Sequence, residues 1–226
     1  LAIEAEDNKE YEKAINFLEK GLKIEKKFFG ENNINVADTL QWIARIYRQK
    51  SEFEKSENFY KQSLRIKNDL LGDKDFQLVD IHFNLGYLDE RKGNDFYQNA
   101  EAHYLKALEI VKNSYSEEHE DYLYGLYLLV NLYSEKGLFE KANDILTRTL
   151  KLEEKTLVKD NLEVAGTLFA IGRNYNNSGQ FKKAESFFLR ALEIYKQKLG
   201  FNNEDTAITL NALGENYLEL GLYNEA

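Results

Sequence analysis

A small residue follows an aromatic at a fixed interval along the whole chain. The motifs are Tyr11-Glu-Lys-Ala14, Phe53-Glu-Lys-Ser56, Tyr97-Gln-Asn-Ala100, Phe139-Glu-Lys-Ala142, Phe181-Lys-Lys-Ala184 and Tyr223-Asn-Glu-Ala226, whose small residues stand 42, 44, 42, 42 and 42 positions apart. A period of this length marks a stacked repeat, in which each supersecondary unit buries its apolar face only against its neighbours. The 226 residues therefore read as one array. It has a partial repeat 1–36, complete repeats 37–78, 79–122, 123–164 and 165–206, and a partial repeat 207–226.

Each period holds two helical patterns. Ala184, Phe187, Phe188, Ala191, Leu192, Tyr195 and Leu199 follow i, i+3, i+4, i+7, i+8, i+11 and i+15, one stripe of an amphipathic helix. The helix before it carries Leu168, Ile171, Gly172 and Tyr175, with equivalents Leu40, Ile43, Ala44, Tyr47; Leu126, Leu129, Val130, Tyr133; and Leu210, Leu213, Gly214, Tyr217. Small residues such as Ala44, Gly172 and Gly214 let the partner helix approach closely. Gly93, Gly137, Gly179 and Gly221 separate the paired helices, and Gly30, Gly72 and Gly200 end the second ones. Asn32-Asn33, Asp73, Asp160 and Asn202-Asn203 follow as helix caps. With no proline in the chain, helix can succeed helix without interruption. The expected fold is all-α, about eleven helices in antiparallel pairs.

One repeat departs from the pattern. It has His82 and Asp89 where its siblings have Leu and Tyr, and extra residues between Gly93 and Ala100. The preferred reading is a stripe rotated onto Ile81, Leu85 and Leu88; the alternative is a functional His82–Asp89 pair.

Composition excludes several function classes. Lys and Arg number 30 against 39 Asp and Glu, a net charge of −9, which argues against a nucleic-acid partner. The longest apolar-and-glycine run is the nine residues from Tyr122 to Val130, whereas a spanning helix needs about 20. The N-terminus lacks the basic and apolar regions of a signal peptide, so no membrane partner and a cytoplasmic setting are expected. Leu1 in place of Met points to a piece of a longer protein. Absence of Cys removes thiolate metal sites and a Cys nucleophile. His82, His103 and His119 fall in different phases of the repeat and form no i, i+4 metal pair, and Walker-type, HExxH and G-x-S-x-G motifs do not occur. The expectation is no catalytic residue, no metal, no cofactor and no enzyme.

The pattern Leu-x-x-Gly/Ala-x-x-Tyr, then Gly-x-Phe/Tyr-x-x-Ala, continues with an aromatic and a small residue four and seven positions on. These are Tyr104 and Ala107 after Ala100, and Phe188 and Ala191 after Ala184. Together they resemble the tetratricopeptide repeat. The usual period is about 34 residues. The longer form here, with Ala207-Ile-Thr-Leu-Asn-Ala-Leu-Gly214, is similar to the kinesin-light-chain-type subclass. That resemblance implies a right-handed superhelical solenoid whose concave wall is lined by the first helices. Carried over position by position, the partner-binding candidates are Gln41, Trp42, Arg45 and Arg48; Phe83, Asn84 and Tyr87; Tyr124, Tyr127 and Asn131; Phe169, Arg173 and Asn176; and Asn211. The carboxylate clamp of chaperone-binding members is not met, since Gln41, Arg45, Tyr124 and Leu128 stand where it needs other residues and only Asn84 matches.

Aromatics bury large area at low entropic cost, Arg forks onto carboxylates, and Asn pairs with peptide backbone. An extended or helical peptide carrying acidic groups would suit such a wall. The function implied is a non-catalytic interaction scaffold binding a protein or peptide. The alternative is the regulatory or sensor segment of a larger effector, fused to a protease or a nucleotide-binding switch. Oligomeric state is left open.

Overall fold

The computed structural model describes residues 10–156 and 161–222. Residues 1–9, the cap candidate Asp160 and the last motif, Tyr223 to Ala226, lie outside them. Ten α-helices are found among the described residues: α1 (Tyr11–Phe29), α2 (Ile34–Gln49), α3 (Phe53–Leu71), α4 (Val79–Lys92), α5 (Tyr97–Ser114), α6 (Glu120–Glu135), α7 (Phe139–Thr156), α8 (Leu162–Asn177), α9 (Phe181–Leu199) and α10 (Glu204–Glu219). Among those residues there is no strand. The chain divides into two compact units, Leu1–Gly125 and Leu126–Ala226.

Helix starts follow side-chain chemistry. Asn33 accepts from the Asn35 N–H at 2.9 Å and Asn203 from the Asp205 N–H at 2.9 Å, as the sequence suggests. In the next two cases the capping side chain is a later residue than expected. Asn161 caps α8, accepting from the Glu163 N–H at 2.8 Å. Asp75, not Asp73, caps a 3-10 turn (Phe76–Leu78) that leads into α4, accepting from the Gln77 N–H at 2.9 Å. Each cap satisfies one of the orphan N–H groups of a first turn. The extra residues after Gly93 are taken up by a second 3-10 turn, Asn94–Phe96, running straight into α5.

In the first unit Ile43 and Ile46 of α2 pack on Ala14 and Ile15 of α1, and Ala44 packs with Tyr60 of α3 and Ile81, Leu85 and Leu88 of α4. Ile81, Leu85 and Leu88 thus pack as expected, but His82 and Asp89 stay buried beside them, so the stripe is widened and not rotated away from them. In the second unit Ala184, Phe188 and Leu192 of α9 pack with Leu213 of α10. Burying such side chains stabilises by about 1.5–3 kcal/mol each. Close approach needs the small residues. A Cβ placed on Gly172 would lie 2.7 Å from Cδ1 of Phe188, and one on Gly86 would run into the Tyr104 ring. Buried hydroxyls tie the pairs as well: Ser56 donates to the Ala44 carbonyl and Ser63 to the Ala37 carbonyl, both at 2.7 Å.

Candidate partner-binding face

α2 and α4 each turn one face inward and leave another to water, and the outer faces of the two helices are linked by side chains. Lys67, only 4% exposed, reaches up from α3 and is held by Asp38 Oδ1 at 2.7 Å and Gln41 Oε1 at 3.0 Å. Gln41 Nε2 donates across to Asp80 Oδ2 of α4 at 2.6 Å. Asn84 Nδ2 donates to the Asp80 carbonyl at 2.7 Å and to Asp80 Oδ1 at 3.0 Å. This polar chain fixes α2 beside α4 and supplies the buried ammonium with its partners. Above it lies a cavity of about 390 Å³, with Trp42 and Arg45 in its wall.

Further along the same two helices the aromatics carry guanidinium groups. The Arg45 guanidinium lies 4.9 Å from the Trp42 ring centroid. Tyr87 takes two, Arg48 and Arg91 each at 5.4 Å, and Arg91 Nε also donates to the Tyr87 hydroxyl at 3.2 Å. Arg48 Nε is buried without an acceptor. Stacking on a ring orients a guanidinium. The face is polar along its length. Asp38 and Asp80 stand in the first halves of α2 and α4, and Arg45, Arg48 and Arg91 in the later turns.

The other candidates divide by exposure. Tyr124 is 51% exposed and stands edge-on to Phe83 at 5.2 Å; Phe83 itself is 7% exposed and serves as the support of Tyr124. In the second unit Tyr127 is 60% exposed, Arg173 and Asn211 are exposed, and Asn131 is half-buried. Phe169 leans on Phe188 at 5.6 Å as part of the core. Asn176 accepts from Asn216 Nδ2 at 3.0 Å, an amide link between α8 and α10. A larger cleft of about 690 Å³ near the start of α7, lined by Lys141, Asn143, Tyr175 and Lys183 among others, contains none of the candidates.

Sequence reasoning passed over two residues of this region, Lys67 and Asp80, while Arg91 is one of its groove-facing positions. Arg91 stands four positions after Tyr87 and so on its face. Lys67 has no such signal, because its burial depends on how α3 meets α2. His82 and His103, apart in the repeat phase, are brought together, with Nδ1 atoms 3.0 Å apart. Among the described residues no group of three His, Cys, Asp or Glu side chains is arranged to hold a metal ion. No helix there is long and apolar enough to cross a membrane.

A family model described as tetratricopeptide repeat matches residues 2–69, 71–155 and 163–226. The chain is a tetratricopeptide-repeat protein. No curated protein sequence matches it. Solved structures similar to this tetratricopeptide-repeat chain share its fold at low identity. The kinesin-light-chain-like protein of Podosopora anserina, with nearly identical TPR-like repeats, superposes with a TM-score of 0.77 at 18% identity, over 88% of this chain and 93% of that one. BtubC (BKLC) from P. vanneervenii gives 0.74 at 19% identity, over 90% and 80%. NprR, solved in complex with its cognate peptide NprX, gives 0.52 at 17%, over 93% and 58%. With its 42-residue period, the tetratricopeptide-repeat array fits the kinesin-light-chain-like subclass.

Proposed function

We propose that the chain is a non-catalytic interaction module that captures an acidic segment of a partner protein on the outer face of α2 and α4. The observation that carries this reading is the arginine cluster. Arg45 stacks on Trp42, and Arg48 and Arg91 both lie over the Tyr87 ring, in a chain whose net charge is −9. Three oriented guanidinium groups beside two aromatic rings suit carboxylates flanked by apolar side chains. Family membership supports it, as does a similar fold, NprR, being solved with a peptide. Tyr124, with Phe83 behind it, extends the apolar part of the face; Tyr127, Asn131, Arg173, Asn176 and Asn211 are candidates for a separate set of contacts in the second unit.

Trp42 is the sole tryptophan and lies on the face, so its fluorescence reports occupancy. Peptides with two glutamates flanking an aromatic residue are expected to change that signal saturably, more weakly as salt is raised. The same peptides with lysine in place of glutamate are expected to leave it unchanged. Equal responses to both sets would remove the reading.

A further inference from the structure

In two repeats a tyrosine of the first helix lies flat on a phenylalanine of the second: Tyr47 on Phe59 at 5.5 Å and 4°, and Tyr175 on Phe187 at 5.6 Å and 22°. The α4–α5 pair has ionisable side chains at both equivalent positions, Asp89 and His103. It has a third, His82, where the other first helices carry Leu40, Leu126, Leu168 and Leu210. All three meet in the first unit, His82 and Asp89 buried and His103 half-buried. The facing Nδ1 atoms of His82 and His103 are 3.0 Å apart, and His103 Nε2 faces Asp89 Oδ2 at 3.8 Å. His82 and Asp89 are 8% and 5% exposed.

Two facing ring nitrogens at that distance hold one proton between them, one nitrogen donating and the other accepting. A further proton goes to the bare Nε2 of the donating ring and puts a positive charge on a largely buried imidazole; only when both rings are charged does N–H face N–H. The neighbouring carboxylates are already engaged. On α4, Lys92 binds Asp89 Oδ1 at 3.0 Å and also Glu57 Oε1 of α3 at 2.7 Å, and Lys61 binds the same Glu57 oxygen at 2.7 Å. On α5, Lys106 lies between Asp73 and Glu109, 3.3 Å from each. Three ammonium groups thus surround the imidazole pair.

We propose that His82, His103 and Asp89 form an acid-sensitive latch, holding α4 on α5 while both imidazoles are neutral and one proton bridges the facing nitrogens, and releasing it as the two rings become charged. Burial, with the His103 and Lys106 charges adding, pushes His82 down to about 4. Burial also lowers His103, against the opposing pull of Asp89. Both rings therefore take protons less readily folded than unfolded. The stabilisation is complete above the ordinary histidine value of about 6.5 and is lost as pH falls from there toward the folded values. Between pH 7.5 and 5 the His82 contribution alone shifts the unfolding constant by about 30-fold. Tyr87 and Arg91 stand on α4 too, so release would disturb the face proposed above; that consequence rests on the proposed function, whereas the loss of stability does not.

The test uses the intact chain. Imidazole resonances are followed by NMR from pH 7.5 to 4.5, and urea unfolding at pH 7.5 and 5 is followed by the fluorescence of Trp42, which lies in the same unit. His82 is expected to stay neutral to about pH 5, and the unfolding constant to rise by about 30-fold or more. Replacing the trio with the sibling set, His82→Leu, Asp89→Tyr and His103→Phe, is expected to abolish most of that rise. A His82 titration near 6.5 overturns the proposal, as does an undiminished pH dependence in the triple variant. Should that variant not fold, the NMR titration of the unmodified chain decides alone.

Discussion

Phe188 and Gly172 make a packing pair whose coupling can be worked out from geometry. The ring is 1% exposed and lies so close to α8 that a Cβ on Gly172 would stand 2.7 Å from Cδ1 and 2.8 Å from Cε1. Phe188→Ala leaves a void that two helices cannot easily close, at a cost of about 3–5 kcal/mol. Gly172→Ala in the unmodified protein overpacks by about 1–3 kcal/mol. Alanine recovers about 1 kcal/mol through helix propensity, so the net change is a loss of about 0–2 kcal/mol. With Phe188 already truncated, the new methyl meets no ring and fills part of the void, so Gly172→Ala becomes stabilising by about 1 kcal/mol. The expected coupling is about 1–3 kcal/mol. The assay is urea unfolding by far-UV circular dichroism, with hydrogen exchange at the α8 and α9 amides to localise the effect. Identical costs for Gly172→Ala in both backgrounds would refute the close-approach argument.

Two further changes test local reasoning. Ser51 holds φ 60° at the turn where the later repeats have Gly93, Gly137, Gly179 and Gly221, all with positive φ. Ser51→Gly should therefore raise the unfolding free energy of the first unit by about 0.5–1 kcal/mol, read from Trp42 fluorescence in urea. Glu153 accepts from the Thr167 hydroxyl at 3.0 Å, yet its other oxygen is buried without a partner, and burial pushes its carboxyl up. A raised folded value means that the charged form strains the fold at neutral pH and that the strain fades as pH falls through it. Glu153→Gln should raise the urea midpoint at pH 7, with an advantage that shrinks toward pH 4; an advantage independent of pH would contradict this.

Much of this fold was legible because repetition samples one packing solution many times. The stripe Leu40, Ile43, Ala44, Tyr47 and its equivalents state the helix pairing, and the aromatic at +3 or +4 from Ala14, Ser56, Ala100 and Ala184 states which face it uses. Cap positions were legible where an Asn sat directly before the stripe, as at Asn33 and Asn203, and slipped where two polar residues competed, as with Asp73 and Asp75. The turn at Ser51 carried no glycine and gave no signal. The His82–His103 contact was half visible. His82 and Asp89 break the pattern on α4, but His103 becomes significant only when aligned with Phe59 and Phe187, since partner choice between helices depends on packing and not on spacing within one helix. The arginine face was visible in Arg45 and Arg48, while Lys67 and Asp80, which fix its floor, belong to contacts 26 and 39 residues apart.

The central claim is that the α2–α4 face selects carboxylates through its stacked arginines, and a charge exchange tests it most directly. Affinity of a glutamate-bearing peptide and of its lysine counterpart is measured against the unmodified chain and against the Arg48→Glu, Arg91→Glu variant. Charge-assisted contacts of this kind contribute about 1.5–3 kcal/mol, so the glutamate peptide should lose at least about tenfold on the variant. The lysine peptide should gain on the same variant. Unchanged affinity of both peptides on a folded variant would contradict the account.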